Sequence, residues 1–365
     1  MGRIRPWRRY ALVGLCLVAF ILAACVPAVS SPGPTQLSLS AMPTSPAALP
    51  SATPALNPTP TLLAASATGL APTSTPSETA QTSPATGSTS PASGVPNFDV
   101  IAVIVLENKE YTTVIGNPQM PNFNAWAQES TLLTQYYGVR HPSLPNYLAM
   151  IGGDTFGVTS DCSNCFVNTA NLTDLIEASG RTWKGYFEDL PSPCFVGSRA
   201  PYAQKHNPFI YFDDIRTNTA RCQGSVVPLT QLQTDLQQNK LPNFLFIVPN
   251  LCNDAHDCAV SYADRWLGTW VNALLSNPRI AQNGLVVITW DEGQGSGSCC
   301  GLDTGGGRVA TVLISPRVQK GYQDATPYSH YSLLKTIELA WGLPLIGRTA
   351  GSGTNSIVAP WLPLP

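Results

Sequence analysis

The chain has 365 residues, with 20 Lys+Arg against 22 Asp+Glu, a net charge of −2 and only 12% charged residues. That balance excludes a basic nucleic-acid binder or an acidic tail as the main theme, and the length allows about two domains or one large α/β unit. With 33 prolines, the chain is not expected to be uniform along its length.

Residues 1–25 read as a lipoprotein signal peptide. Arg3, Arg5, Arg8 and Arg9 form a basic start, and Ala11 to Ala24 is a 14-residue uncharged, mostly apolar run. That run is shorter than the roughly 20 residues of a spanning helix. Leu22-Ala23-Ala24-Cys25 closes it and resembles a bacterial lipobox, which implies cleavage and lipidation at Cys25. The expected location is extracytoplasmic, with the chain lipid-anchored to a membrane or cell surface. An ordinary signal peptide with a chance cysteine is the alternative. Residues 26–96 hold 14 prolines and one charged residue, Glu78. Such a Pro/Ser/Thr/Ala-rich stretch buries too little apolar surface to offset chain ordering, so a disordered stalk is expected. In polyproline II it would reach up to about 200 Å.

The folded domain is expected over 97–365, with 16 Lys+Arg against 21 Asp+Glu. Strand-like apolar runs occur at Phe98–Leu106, Thr182–Phe187, Phe244–Val248, Leu285–Trp290 and Arg308–Ile314. Helical patterns fall between them at Phe123–Gln128, Leu144–Ile151, Leu172–Ala178, Leu229–Gln238, Tyr262–Leu275 and Tyr331–Trp341. The alternation predicts a three-layer α/β/α fold with a mostly parallel central sheet. Eight cysteines lie in this part, an even count that favours disulfides in an exported domain. Cys162/Cys165, Cys194/Cys222 and Cys252/Cys258 are plausible pairs, although spacing alone leaves the connectivity open.

In such sheets functional residues gather at the carboxyl ends of the strands. Glu107-Asn108 follows the first strand run. A stretch containing Asn253-Asp254-Ala255-His256-Asp257 follows the run ending at Val248, and Asp291-Glu292-Gly293 follows the run ending at Trp290. Each piece alone has an ordinary explanation as a turn or cap. Together they would bring carboxylates and amides to one edge, where a divalent cation satisfies them. All four histidines, His141, His206, His256 and His330, sit in polar, loop-like settings suited to acid–base work or phosphate contacts. Ser143 precedes a helical pattern and is the candidate nucleophile, with a plain N-cap as its alternative role. The Gly-rich stretch Gly293–Gly307 lacks a phosphate-loop lysine and reads as a flexible loop.

Taken together, Glu107-Asn108, His141-Pro142-Ser143-Leu144-Pro145-Asn146-Tyr147, Lys205-His206-Asn207-Pro208-Phe209, Asn253-Asp254-Ala255-His256-Asp257, Trp290-Asp291-Glu292-Gly293 and Ser329-His330 resemble the bacterial and fungal phosphoesterase family. That family, within the alkaline phosphatase superfamily, holds acid phosphatases and bacterial phospholipases C. The resemblance implies one divalent ion (Ca, Mn, Mg or Zn) on Glu107, Asn108, Asp291 and Glu292, with Ser143 as a further ligand. It implies that Ser143 attacks phosphorus and forms a phosphoseryl enzyme. His256 with Asp254 would contact the phosphoryl oxygens or protonate the leaving oxygen, and His206 and His330 would line the same pocket. The histidine set of two-metal phosphatases is not evident, so protonated histidines are expected in place of a second ion, favouring acid pH.

The expected function is hydrolysis of phosphomonoesters, with small phosphoesters or phospholipids as substrates, membrane attachment through the anchor and no nucleic-acid partner. A phospholipase C-type diesterase and a catalytically inactive lipid-anchored binding module are the alternatives. A two-lobed solute-binding lipoprotein would need two similar halves, and the sequence has none.

Overall fold

The computed structural model describes residues 94–362. The signal, Cys25 and nearly all of the stalk lie outside the described residues. Nine strands form one sheet: β1 (Val100–Leu106), β2 (Thr131–Tyr137), β3 (Trp183–Phe187), β4 (Val226–Pro228), β5 (Phe244–Val248), β6 (Gly284–Trp290), β7 (Arg308–Ile314), β8 (Tyr322–Asp324) and β9 (Tyr328–Ser329). The order is β4-β3-β5-β1-β6-β7-β2-β8, with β9 also on β2. All pairings are parallel except those that β7 makes with β6 and β2.

The five strand runs recognised in the sequence are β1, β3, β5, β6 and β7. β1, β5 and β6 are buried at every position. Successive side chains of a strand point to opposite faces, so burial throughout means that both faces are covered. The helices recognised in the sequence form with ends shifted by at most two residues. Helix Pro121–Glu129 packs on Val260–Leu275, and helix Ser143–Gly152 packs on His330–Trp341. β2, Thr-Leu-Leu-Thr-Gln-Tyr-Tyr, is the longest strand that the sequence pattern did not reveal. Its Thr134 and Gln135 interrupt the apolar run at a register shift between Leu133 and Tyr136.

The Gly-rich stretch is tied down rather than free. The Glu110 carboxylate accepts from the backbone N–H groups of Gln294, Gly295 and Arg308 at 2.9–3.1 Å. Its backbone also lies directly on the end of β2: a Cβ at Gly306 would meet the Gly138 carbonyl carbon at 2.6 Å. Glycine is required there for close approach.

Glu338, in the helix His330–Trp341, is fully buried. Its Oε1 accepts from Ile346 N at 3.1 Å, while Oε2 has no hydrogen-bond partner. Burial pushes this carboxyl up to about 7. A carboxyl raised in the folded state binds more protons folded than unfolded, so stability falls as pH rises from about 4.5 to about 7. Glu338→Gln is therefore expected to raise stability at pH 8 by about 1–3 kcal/mol and to change it little at pH 5. Thermal unfolding at the two pH values checks this, and an equal change at both would refute it.

Candidate active site

The site is assembled by the register of β1 and β6. Leu106 pairs with Trp290, so the next residues, Glu107 and Asp291, emerge side by side at the carboxyl edge. Asp291 N donates to Leu106 O at 2.9 Å. Asn108 adopts φ +54°, a left-handed turn that Asn tolerates, and its N–H donates to Asp291 Oδ1 at 3.1 Å. From the loop after β5, Asp254 O accepts from Glu107 N at 2.9 Å.

Ser143 comes from the loop after β2. Pro142, without a side-chain cap, is the N-cap, and Ser143 is the first helical residue. Its hydroxyl therefore does not cap the helix. It donates to Glu107 Oε2 at 3.1 Å and is 1% exposed. The amide that follows, Leu144 N, is taken by Asp161 Oδ1 at 3.0 Å. One turn on, Tyr147 OH donates to Glu107 Oε1 at 2.6 Å. Asn108 Nδ2 also donates to Glu107 Oε2 at 2.9 Å. Tyr147 was legible in principle, because i and i+4 share a helix face. Asn146, at i+3, accepts from Val139 N at 2.7 Å and donates to Arg140 O at 2.6 Å, fixing the loop that carries His141.

The predicted residues divide by position. Glu107, Asn108, Ser143, Asp254, Asp291 and His206 gather in one cluster. His206 Nε2 lies 3.2 Å from Glu107 Oε1 and Nδ1 lies 3.4 Å from Asp254 Oδ2, with its ring stacked on Tyr147. His256 stands at the rim with a partly exposed side chain. Its N–H donates to Asp254 Oδ1 at 2.7 Å, and its Nδ1 is 2.6 Å from Asp257 Oδ1. Glu292 turns aside to His141, whose Nδ1 is 2.8 Å from Glu292 Oε2 and whose Nε2 meets Gly295 O at 2.9 Å. His141, one of the four loop histidines of the sequence but given no role of its own there, is thus held against Glu292.

His330 does not open onto the cluster. It is fully buried behind Asp291, with Nε2 on the Asp291 carbonyl and Nδ1 3.3 Å from Tyr136 OH. That makes it a support for the Asp291 backbone. Burial pushes it down to about 4 and holds His206 well below the ordinary histidine range. Desolvation penalises the charged imidazole at these two places, which runs against the expectation of protonated histidines there. The nearby fixed positive charges belong to lysines to which the sequence reading gave no role. Lys109 Nζ donates to Ala255 O at 2.7 Å, and Lys205 Nζ donates to Asp161 Oδ2 at 3.0 Å.

The cluster fits a divalent cation. Asp291 Oδ2 is buried with no well-aligned hydrogen bond, the Ser143 hydroxyl lying alongside the carboxylate. Burial, then the charges of Asp291 and Asp254, push Glu107 well above the usual carboxylate range. Burial pushes Asp291 to about 7, and burial with the Asp291 charge pushes Glu292 to about 9. Oxygen donors of this kind suit a hard cation, which would let all of them ionise at neutral pH. Among the described residues no three Asp, Glu, His or Cys side chains already stand together as a closed metal cage. The expected donor set includes an amide and a hydroxyl, and Glu292 must turn from His141 to join it.

All eight cysteines of the domain are paired, as 162–165, 194–222, 252–258 and the adjacent 299–300. Two of these bridges close loops beside the site.

Comparison with known proteins places this geometry. An acid phosphatase of Aspergillus fumigatus is 35% identical over 268 residues, covering 70% of this chain and 57% of its own length. A phosphatidylinositol-3-phosphatase of Mycobacterium tuberculosis is 34% identical over 257 residues, covering 69% and 80%. The chain spans about three fifths of the length of the fungal acid phosphatases it matches. A solved alkaline phosphatase superfamily protein from Vibrio parahaemolyticus shares the fold, with a TM-score of 0.51 at 12% identity, covering 75% of this chain and 72% of that one. The model of the phosphoesterase family matches residues 116–344, and the chain belongs to that family.

Proposed function

We propose that the chain is an exported, lipid-anchored, metal-dependent phosphoesterase that hydrolyses phosphomonoesters through a phosphoseryl intermediate on Ser143. The observation that carries this reading is the Ser143 hydroxyl. It caps nothing, is buried, and donates to a carboxylate in a crowded acidic cluster. Serine is favoured at a helix start chiefly as the N-cap, a duty that Ser143 does not have. Relatives named acid phosphatase and phosphatidylinositol-3-phosphatase support the monoester. A phospholipase C relative from Mycobacterium tuberculosis, 23% identical over 49% of this chain and 40% of its own length, supports the diester less. The basic start, apolar run and Cys25 support export and anchoring.

Glu107, Asn108, Asp291 and Glu292, with Ser143, would hold one divalent ion, which when bound supplies the positive charge that favours the Ser143 alkoxide. Ser143 Oγ passes its proton to Glu107 and attacks phosphorus. The bond from phosphorus to the alcohol oxygen breaks, and that oxygen takes a proton from the His256 imidazolium. Water then attacks the phosphoserine and gives a proton to His256. The serine oxygen leaves with the proton held on Glu107, releasing inorganic phosphate. Asp254 holds the His256 loop through the backbone N–H of His256, and His330 holds Asp291.

The test supplies the full chain with Ca²⁺, Mn²⁺, Mg²⁺ or Zn²⁺ separately and compares p-nitrophenyl phosphate with its choline phosphodiester analogue. Cation-dependent turnover favouring the monoester is expected. Preference for the diester would move the reading to a phospholipase C, and cation binding without turnover of either would move it to a binding module.

A further inference from the structure

One cavity, about 830 Å³, opens beside Ser130, Ile280 and Ile314 at the amino-terminal edge of the parallel strands, away from the chemistry. A smaller one, about 270 Å³, adjoins the acidic cluster. Asp161, Lys205 and His256 border it, and Tyr202, Tyr211 and Leu251 supply walls that are mostly carbon. The Asp161 carboxylate links it to the nucleophile. Its Oδ1 accepts from Leu144 N, next to Ser143, and its Oδ2 accepts from Lys205 Nζ, both at 3.0 Å.

The walls are preformed. Asp161 precedes the loop closed by Cys162–Cys165, and Leu251 and His256 flank and occupy the loop closed by Cys252–Cys258. Gln204 Nε2 ties the first wall to the next by donating to Ser163 O at 2.7 Å. Tyr202 packs edge-on against Phe187 and Phe195, and Tyr211 packs against Phe166. The Tyr211 hydroxyl is buried with no well-aligned hydrogen bond, the Gln204 amide lying alongside.

We propose that this cavity is the subsite for the alcohol part of the substrate, and that it selects a single-ring, mainly apolar alcohol, an aryl group, over an aliphatic polyol. The proposal rests on the phosphoesterase reading and goes beyond it by naming the substrate class. Small-molecule sites usually span roughly 300–1,000 Å³, so a cavity at the foot of that range takes one ring and not two acyl chains. Aromatic and leucine walls reward a flat apolar group, whereas a polyol would lose water against a lining that is mostly carbon, with Ser163, Ser198 and Gln204 as its polar exceptions. Lys205, His256 and Asp161 stand at the end where the phosphoryl group would join the ring.

The test compares phenylphosphonate with methylphosphonate as inhibitors of the cation-loaded full chain. Neither is hydrolysed at carbon, so their difference reports binding and not leaving-group chemistry. Phenylphosphonate is expected to bind at least about 10-fold more tightly. Leu251→Trp, which fills the cavity, is expected to bring the two within about 2-fold by weakening phenylphosphonate more than methylphosphonate. Ala203→Trp fills it from another wall and serves if the first variant melts early. Equal inhibition by the two phosphonates, or a filled cavity that weakens both alike, would overturn the subsite. If the chain turns over no phosphoester, the hydrolase reading fails by itself, and calorimetric binding of the two phosphonates still decides the subsite.

Discussion

Replacing Ser143 with alanine is expected to lower kcat on p-nitrophenyl phosphate by at least about 1,000-fold, because no other group can carry the phosphoryl transfer through a covalent intermediate. The fold should survive. The hydroxyl caps no helix, and Glu107 Oε2 keeps its bond from Asn108 Nδ2 at 2.9 Å. The loss in stability should be near the value of one hydrogen bond, about 1 kcal/mol. Trapping with radiolabelled substrate should leave phosphate on Ser143 of the native chain and none on the variant. A Ser143→Ala enzyme with more than a tenth of native activity would show that water attacks directly and that Ser143 only binds.

The parallel sheet was legible because its central strands are short, β-branched and apolar throughout, as in Val-Ile-Ala-Val-Ile-Val-Leu of β1. Burial on both faces writes that signal into the sequence. β2 was not legible for the opposite reason. It lies between antiparallel β7 and the short parallel strands β8 and β9, carries a register shift, and bears Thr134 and Gln135 where an apolar run would be expected. The cluster was legible at Glu107 and Asp291 because each directly follows a recognised strand, and the strand-end rule fixes their position. His330 misled because residue type reveals chemistry but not orientation. A histidine that opens its helix can face the pocket or the carbonyl behind it, and burial here selects the carbonyl. Lys205 and His141 stood in the recognised motifs without an assigned role, because their roles depend on contacts with Asp161 and Glu292, 44 and 151 residues away.

Asp291→Asn is expected to change stability in opposite directions with and without cation. Without cation, Asp291 is pushed to about 7 by burial, and Glu107 is pushed up by burial and then by the Asp291 charge. Asp291 binds more protons folded than unfolded between about pH 4 and pH 7, and Glu107 shifts in the same direction, so the native cluster loses stability as pH rises through that window. An isosteric amide removes one of the charges and keeps an oxygen for Asn108 N. The variant should then be more stable than the native chain at pH 7.5 by about 1–2 kcal/mol. With cation at 100 times its dissociation constant, the native chain should gain about 2.7 kcal/mol. The variant should gain little, because the ligand whose Oδ2 has no well-aligned hydrogen bond is gone, and activity should fall at least about 100-fold. The two unfolding curves therefore exchange order when cation is added. A variant that is less stable under both conditions and responds to cation as the native chain does would remove Asp291 from the metal site. It would leave the acidic cluster as a structural feature held together by shared protons.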